Sequence, residues 1–239
     1  MSDPILLADL QSYLRTLPID MYGYADIAHV LGAEWARWPR AISIALALSK
    51  DAMSGVAEGP TLAYYRAYET LNARLNETCE AIAGWLRGAG YGARAFPATV
   101  SANDLGALQG TLSVPVQHKT VATRAGLGWI GKNALLISRR FGPRVRLASI
   151  FTDMPLPAAD PVMLSACGAC QRCVDACPAS AIRGTSWHVG TSREELVDAW
   201  ACQKVAQQLL QQRVGAHNAV CGICIAVCPF AAATRDEKR

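Results

Sequence analysis

Eight of the nine cysteines in this 239-residue chain fall between Cys167 and Cys228, and their spacing is where the sequence is best equipped for chemistry. A first run, CGACQRCVDACP, sets Cys167, Cys170, Cys173 and Cys177 at C-x2-C-x2-C-x3-C-P. A second, CGICIAVCP, sets Cys221, Cys224 and Cys228 at C-x2-C-x3-C-P, with Cys202 standing between the runs. Thiolates are soft anionic ligands, and such spacings gather several of them on one short loop. Disulfides are a poor reading: MSDPILLADL lacks a basic segment before its apolar run, and no cleavage site follows. The expectation is a cytoplasmic, reducing setting, where clustered cysteines mean metal or catalysis. Paired zinc knuckles would use C-x2-C but leave the two C-x3-C-P endings unexplained.

A pair of 4Fe-4S clusters accounts for both endings. In double-cluster runs of this spacing, three thiolates hold one cubane and the fourth, beside proline, ligates the other. Applied here, the rule gives one cluster Cys167, Cys170, Cys173 and Cys228. The other takes Cys177, Cys202, Cys221 and Cys224, so none of the eight is left over.

With 51% hydrophobic and 18% charged residues, the chain reads as an ordinary soluble globular protein of one large or two small domains. No apolar stretch approaches the ~20 residues needed to span a bilayer, so no membrane segment is expected. The formal charge of +4 is offset on cluster binding, because a cubane with four thiolates carries roughly −2. A near-neutral holoprotein weakens the case for nucleic acid. The basic group Arg139, Arg140, Arg144 and Arg146 reads either as a solvated loop and strand face or as a phosphate contact.

Ahead of the cysteines, Asp3 to Leu17 has the cap, first-turn proline and apolar face of a helix. IDMYGYADI predicts a short strand. The run Ala41 to Ser49 is apolar enough for a strand buried on both faces, hence a sheet covered by helices. Thr61 to Arg87 carries Tyr64, Tyr68, Leu71, Leu75, Ile82 and Leu86 at helical intervals, with Cys79 on the same face as a core residue. Gly88, Gly90 and Gly92 end it, GARAFPATV is extended, and a loop follows around Asn103 and Asp104. ALLIS and VRLASIFTD predict a hairpin closed by FGPR. The composition shift beyond PLPAADP places a domain boundary near Pro157, giving domains 1–157 and 158–239.

His118 to Ile137, HKTVATRAGLGWIGKNALLI, is the second informative stretch. Gly126, Gly128 and Gly131 satisfy G-x-G-x-x-G, but a dinucleotide fingerprint needs a strand before it, and Lys119 to Ala125 reads as helix. Gly126 to Lys132 also matches G-x4-G-K, yet Asn133 stands where a P-loop needs Ser or Thr. The glycines instead predict either close backbone approach to a bulky ligand, with Trp129 as a flat wall, or a tight helix-to-strand turn with Trp129 in the core.

Taken together, VPVQHKTVATRAGLGWIGKNALLI, SIFTDMPL, CGACQRCVDACPASAI and CGICIAVCP resemble the epoxyqueuosine reductase family, relatives of the corrinoid-dependent reductive dehalogenases. The resemblance covers most of the chain, including YGYADI and RAISIALALS. It implies an α/β (α+β) fold: a nitroreductase-like N-terminal domain cradling base-off cobalamin, and a ferredoxin-like C-terminal domain. A donor such as ferredoxin or flavodoxin would feed one cluster, then the next, then the corrinoid. The implied cofactor-binding residues are His118, Lys119, Gly126, Gly128, Trp129, Gly131, Lys132 and Asn133.

Two departures stand out. Where the family carries an Asp-Tyr-His element with its proposed proton donor, this chain reads Ala63-Tyr64-Tyr65. The sequence also stops eleven residues after Cys228, without the family's helical-repeat extension. Both favour a small-molecule substrate over tRNA, and the catalytic residues stay unassigned. His217 and Asn218 are expected to donate hydrogen bonds to cluster sulfur, and Trp187 and Trp200 to shield the second cluster. His29 and His188 carry no signal. The alternative reading is a ferredoxin-type electron carrier with a docking domain.

Overall fold

The computed structural model describes residues 4–30, 32–99, 112, 114 and 116–232, so the loop expected around Asn103 and Asp104 lies outside the described residues. Helix α1 (Pro4–Thr16) starts at the proline, whose fixed φ suits a first turn and whose missing N–H costs nothing there. Strand β1 (Met21–Asp26) follows. Strand β2 (Arg40–Ala47) has every interior residue buried, which is why its sequence is a continuous apolar run rather than an alternation.

Helix α2 (Leu62–Gly88), strand β3 (Ala93–Phe96) and the short helix α3 (His118–Arg124) come next. Then come strands β4 (Gly128–Ile130), β5 (Leu136–Ser138) and β6 (Val145–Thr152). A four-stranded sheet has the order β1-β2-β6-β3, with β1/β2 and β3/β6 antiparallel. Ile42, Ile44, Ala148 and Ile150 share one apolar cluster with Leu10 and Leu14 of α1 and Leu75, Cys79, Ile82 and Leu86 of α2. Ala41 and Phe151 belong to a second cluster with Val121 and Ala125, at and just after α3. The two memberships follow the two-residue period of a strand and give the helix-covered sheet expected from Ala41 to Ser49.

The predicted ALLIS/VRLASIFTD hairpin is not formed. β5 pairs with β4, through Gly128↔Ser138, Trp129↔Ile137 and Ile130↔Leu136, while β6 joins the four-stranded sheet. A Cβ at Gly128 would collide with the Ile137 carbonyl, so this close pairing requires glycine there. The FGPR segment folds back on Ser138: the Phe141 amide donates to Ser138 Oγ at 3.0 Å, and Ser138 and Gly142 exchange backbone hydrogen bonds. A turn closed so locally ends the strand instead of continuing it into β6.

The cysteine segment is built from short pieces: α4 (Arg172–Asp175), α5 (Arg193–Leu196), α7 (Ile223–Ala226) and α8 (Pro229–Ala232) around the longer α6 (Ala199–Val214). Asp198 caps α6 by accepting from the Trp200 and Ala201 amides, and Gly215 ends it in the left-handed conformation. The chain groups into two compact units that interleave along the sequence and do not follow a single break at Pro157. Unit 1 comprises Met1–Leu46, Leu71–Leu127 and Arg146–Val162; unit 2 comprises Ala47–Thr70, Gly128–Val145 and Met163–Arg239.

Candidate iron-sulfur site

All eight clustered cysteines lie in unit 2 and are unbridged. The two runs repeat one local design. Gly168 and Gly222, each just after the first cysteine of its run, adopt positive φ of 54° and 85°. Such a turn folds the next residues back so that C-x2-C presents both sulfurs to one side. At Gly222 the space is also taken, because a Cβ would approach Tyr64 and Val56 to 2.7 Å. Short helices α4 and α7 then carry the chain to the cysteine-proline endings, and they pack against each other.

The sulfurs sort into two cavities. Cys167, Cys170, Cys173 and Cys228 line the first, together with Lys132, Asn133, Ile137, Pro229 and Phe230. Cys177, Cys202, Cys221 and Cys224 line the second, with Asn133 and otherwise apolar neighbours such as Ile182, Val205 and Ile223. The fold thus brings the eight cysteines together as two groups of four. Among the described residues, no three His, Cys, Asp or Glu side chains converge closely enough for a single ion.

Electrostatics points to a cationic core. Burial, then repulsion from Cys167 and Cys228, pushes the Cys173 thiol up to about 11. Burial likewise raises Cys224, with Cys221 and Cys202 adding to it, and raises Cys202, with Cys177 and Cys221 adding. Gathered thiols resist ionisation until positive charge is supplied, so iron binding there must displace protons. The Ala181 amide donates to Cys177 Sγ at 3.4 Å.

The glycine block takes part in this unit through its second half. Lys132, only 4% exposed, donates from Nζ to the Cys170 carbonyl at 3.0 Å. Asn133 donates from Nδ2 to the Cys224 carbonyl at 3.4 Å and accepts the Leu135 amide on Oδ1, and it lines both cavities. Trp129 is buried, edge-on to Phe230 at 5.0 Å, with an indole N–H that has no hydrogen-bond partner among the described residues. Close packing accounts for the glycines: a Cβ on Gly131 would meet Ile137 and Asn133 at 2.8 Å, and Gly126 has φ of 70°.

Three of the eight residues implied as cofactor-binding, His118, Lys119 and Gly126, lie in unit 1. His118 Nε2 lies 2.9 Å from the Pro97 carbonyl and Nδ1 2.9 Å from Ser149 Oγ. A carbonyl only accepts, so Nε2 carries the proton and Nδ1 accepts from the serine. Burial lowers the His118 pKa, which keeps the ring neutral. His217 and Asn218 are exposed and line neither cavity; Trp187 is buried, but Trp200 is 53% exposed. Ala63 is exposed, while Tyr64 is buried.

The four arginines divide as well. Arg144 is buried, donating from Nε to the Ala231 carbonyl at 2.7 Å and from Nη1 to the Leu48 carbonyl, so it is a structural residue of unit 2. Arg146 donates to Asn72 Oδ1 at 2.8 Å in unit 1. Arg139 and Arg140 are exposed.

Residues 166–231 match the family described as a 4Fe-4S double cluster binding domain. An epoxyqueuosine reductase of Pseudomonas aeruginosa is 51% identical over 73 residues, which are 30% of this chain and 20% of that protein. A tetrachloroethene reductive dehalogenase of Dehalobacter restrictus is 29% identical over 233 residues, 93% of this chain and 38% of that protein. Among solved structures, an epoxyqueuosine reductase with an epoxyqueuosine-modified tRNA-Tyr stem loop aligns with a TM-score of 0.62 at 18% identity, covering 96% of this chain and 66% of that one. A reductive dehalogenase described with a mechanism for B12-dependent dehalogenation aligns with a TM-score of 0.62 at 19% identity, over 97% and 31%. The chain spans less than half the length of these curated relatives.

Fold and cysteine sets thus define the class: a mixed α/β protein carrying a 4Fe-4S double-cluster domain. Within that class the chain is similar in sequence to epoxyqueuosine reductases and to a reductive dehalogenase, and it shares their fold. The likeness to the dehalogenase runs far beyond the cysteine segment.

Among the described residues no helix is long and apolar enough to cross a membrane.

Proposed function

We propose that the chain is an iron-sulfur reductase in which two 4Fe-4S clusters relay electrons, one at a time, to a redox site in its N-terminal α/β part. The observation that carries this reading is the sorting of eight sulfurs into two separate sets of four. Cys167, Cys170, Cys173 and Cys228 hold one cubane, and Cys177, Cys202, Cys221 and Cys224 the other. Each cluster, when bound, accepts and returns a single electron without breaking a bond. Lys132 and Asn133 fix the carbonyls of Cys170 and Cys224 by hydrogen bonds, which orients both cysteine loops. Apolar side chains such as Ile182, Val205 and Ile223 line the inner side of the second cavity. Cys202 is exposed, which makes the second cluster the place where a donor such as ferredoxin or flavodoxin delivers electrons.

The acceptor in this proposal is a corrinoid, and the support is the likeness to a protein described with B12-dependent dehalogenation. The glycine block itself is accounted for by packing and so gives the corrinoid no separate support. The substrate is a small molecule other than epoxyqueuosine in tRNA. What favours this is Ala63, a side chain unable to donate a proton where the family resemblance implies an aspartate.

Adding cob(II)alamin to the anaerobically reconstituted protein tests the assignment. Binding should convert the cobalt signal in electron paramagnetic resonance to the base-off form, at about one cobalt per chain. An unchanged free-cobalamin spectrum would remove the corrinoid and leave an electron-relay protein. Turnover of epoxyqueuosine-modified tRNA with reductant and cobalamin would contradict the substrate proposal.

A further inference from the structure

The two cysteine cavities differ in one respect that matters for an electron relay. Lys132 is the charged side chain lining the first cavity, and the second is lined by Asn133 and apolar residues. Lys132 is almost wholly buried, and its ammonium is held in place by the Cys170 carbonyl. Its field at the first cluster is therefore screened by protein rather than by water. The second set has the Ala181 amide at Cys177 Sγ. That is a neutral dipole, whose field falls off faster with distance than that of a full charge.

Reduction adds one electron to a cubane and breaks no bond, so the four-thiolate complex goes from about −2 to about −3. A fixed cation stabilises the more negative state and raises the reduction potential. Resting on the cluster assignment above, we infer that Lys132 sets the potential of the Cys167/Cys170/Cys173/Cys228 cluster selectively, making it the stronger electron acceptor of the pair. Electrons delivered at the exposed Cys202 side then pass downhill toward the Lys132 side. Lys132 is a positioning and tuning residue here, acting through the cluster rather than on substrate.

The test is a mediated redox titration of the reconstituted protein, followed by electron paramagnetic resonance and compared across Lys132→Gln, Lys132→Arg and wild type. Iron and sulfide content establish first that both clusters are present in each, which keeps a failure of the cluster assignment distinct from a failure of the tuning. Gln keeps a donor for the Cys170 carbonyl and removes the charge. One reduction wave should move to lower potential by at least a tenfold change in its equilibrium, 59 mV for one electron, while the other moves by less than half as much. Arg should restore the wild-type wave. Cys202→Ser, which alters a ligand of the second cluster, should displace the wave that Lys132→Gln leaves in place. Equal movement of both waves, no movement, or displacement of the same wave by Cys202→Ser would overturn the inference. Loss of iron in both Lys132 variants would also overturn it, by assigning the side chain to folding instead of potential.

Discussion

The two compact units are stabilised by different means. Unit 1 has a sheet with apolar side chains on both faces and a long helix whose buried residues Leu75, Cys79, Ile82 and Leu86 recur at helical spacing. In unit 2, around the cysteines, four of the five helices are four residues long. Helices of that length do not persist on their own. Beside them stand eight thiols, of which Cys173 and Cys224 have their pKa raised by burial and by repulsion from neighbouring cysteines. Unit 1 rests on hydrophobic burial, whereas unit 2 combines buried apolar residues such as Val56, Ile137 and Leu210 with cysteine loops whose ligation of iron would couple metal binding to folding.

Removing the iron is the strongest way to break that comparison. Chelation under oxidising conditions should abolish hydrogen-exchange protection in α4, α6 and α7 while leaving β2, β6 and the C-terminal half of α2 protected. Loss of protection everywhere would mean that unit 1 also depends on the clusters. Leu75→Ala, which opens a cavity against Ile82 and its neighbours, should cost about 2–5 kcal/mol in denaturant unfolding of unit 1. Iron content should stay unchanged. Gly222→Ala combines a positive φ with a clash against Tyr64 and Val56, and it should cost about 1–3 kcal/mol. It should show itself as weaker retention of the second cluster. The smallest effect is expected from His118. Burial lowers its pKa, so the unfolded chain binds the proton more tightly and stability is lost as pH falls below the ordinary histidine value of about 6.5. The urea midpoint of unit 1 should drop between pH 7.5 and 5.5, and His118→Asn should flatten that slope.

The same division governs what the sequence discloses. In unit 1, β2 and α2 follow from local periodicity, because the pattern that packs them is written in adjacent residues. The double-cluster segment is legible too, since cluster ligation imposes cysteine spacings found in few other contexts. What sequence order hides is the interleaving. Lys132 and Asn133 hold carbonyls 38 and 91 residues away, and no local pattern announces such partners. Their glycine-rich setting drew attention to a ligand, whereas the glycines are explained by the tight β4–β5 pairing. The hairpin expected from ALLIS and VRLASIFTD failed for a related reason: apolar composition shows that each piece is a strand, but not with which strand it pairs. Tyr64 was read beside the missing aspartate, and its packing against Gly222 depends on a contact that helical spacing could not reveal.

The most direct test of the account is the metal content and spectrum of the anaerobically purified chain, measured beside Cys228→Ser. Two cubanes predict about eight irons and eight sulfides in wild type, with a reduced-state signal of two interacting 4Fe-4S centres. Cys228→Ser should damage only the cluster held by Cys167, Cys170 and Cys173, leaving about four irons in an intact second centre. A single cluster in wild type, zinc in place of iron, or damage from Cys228→Ser confined to the cluster of Cys221 and Cys224 would contradict it.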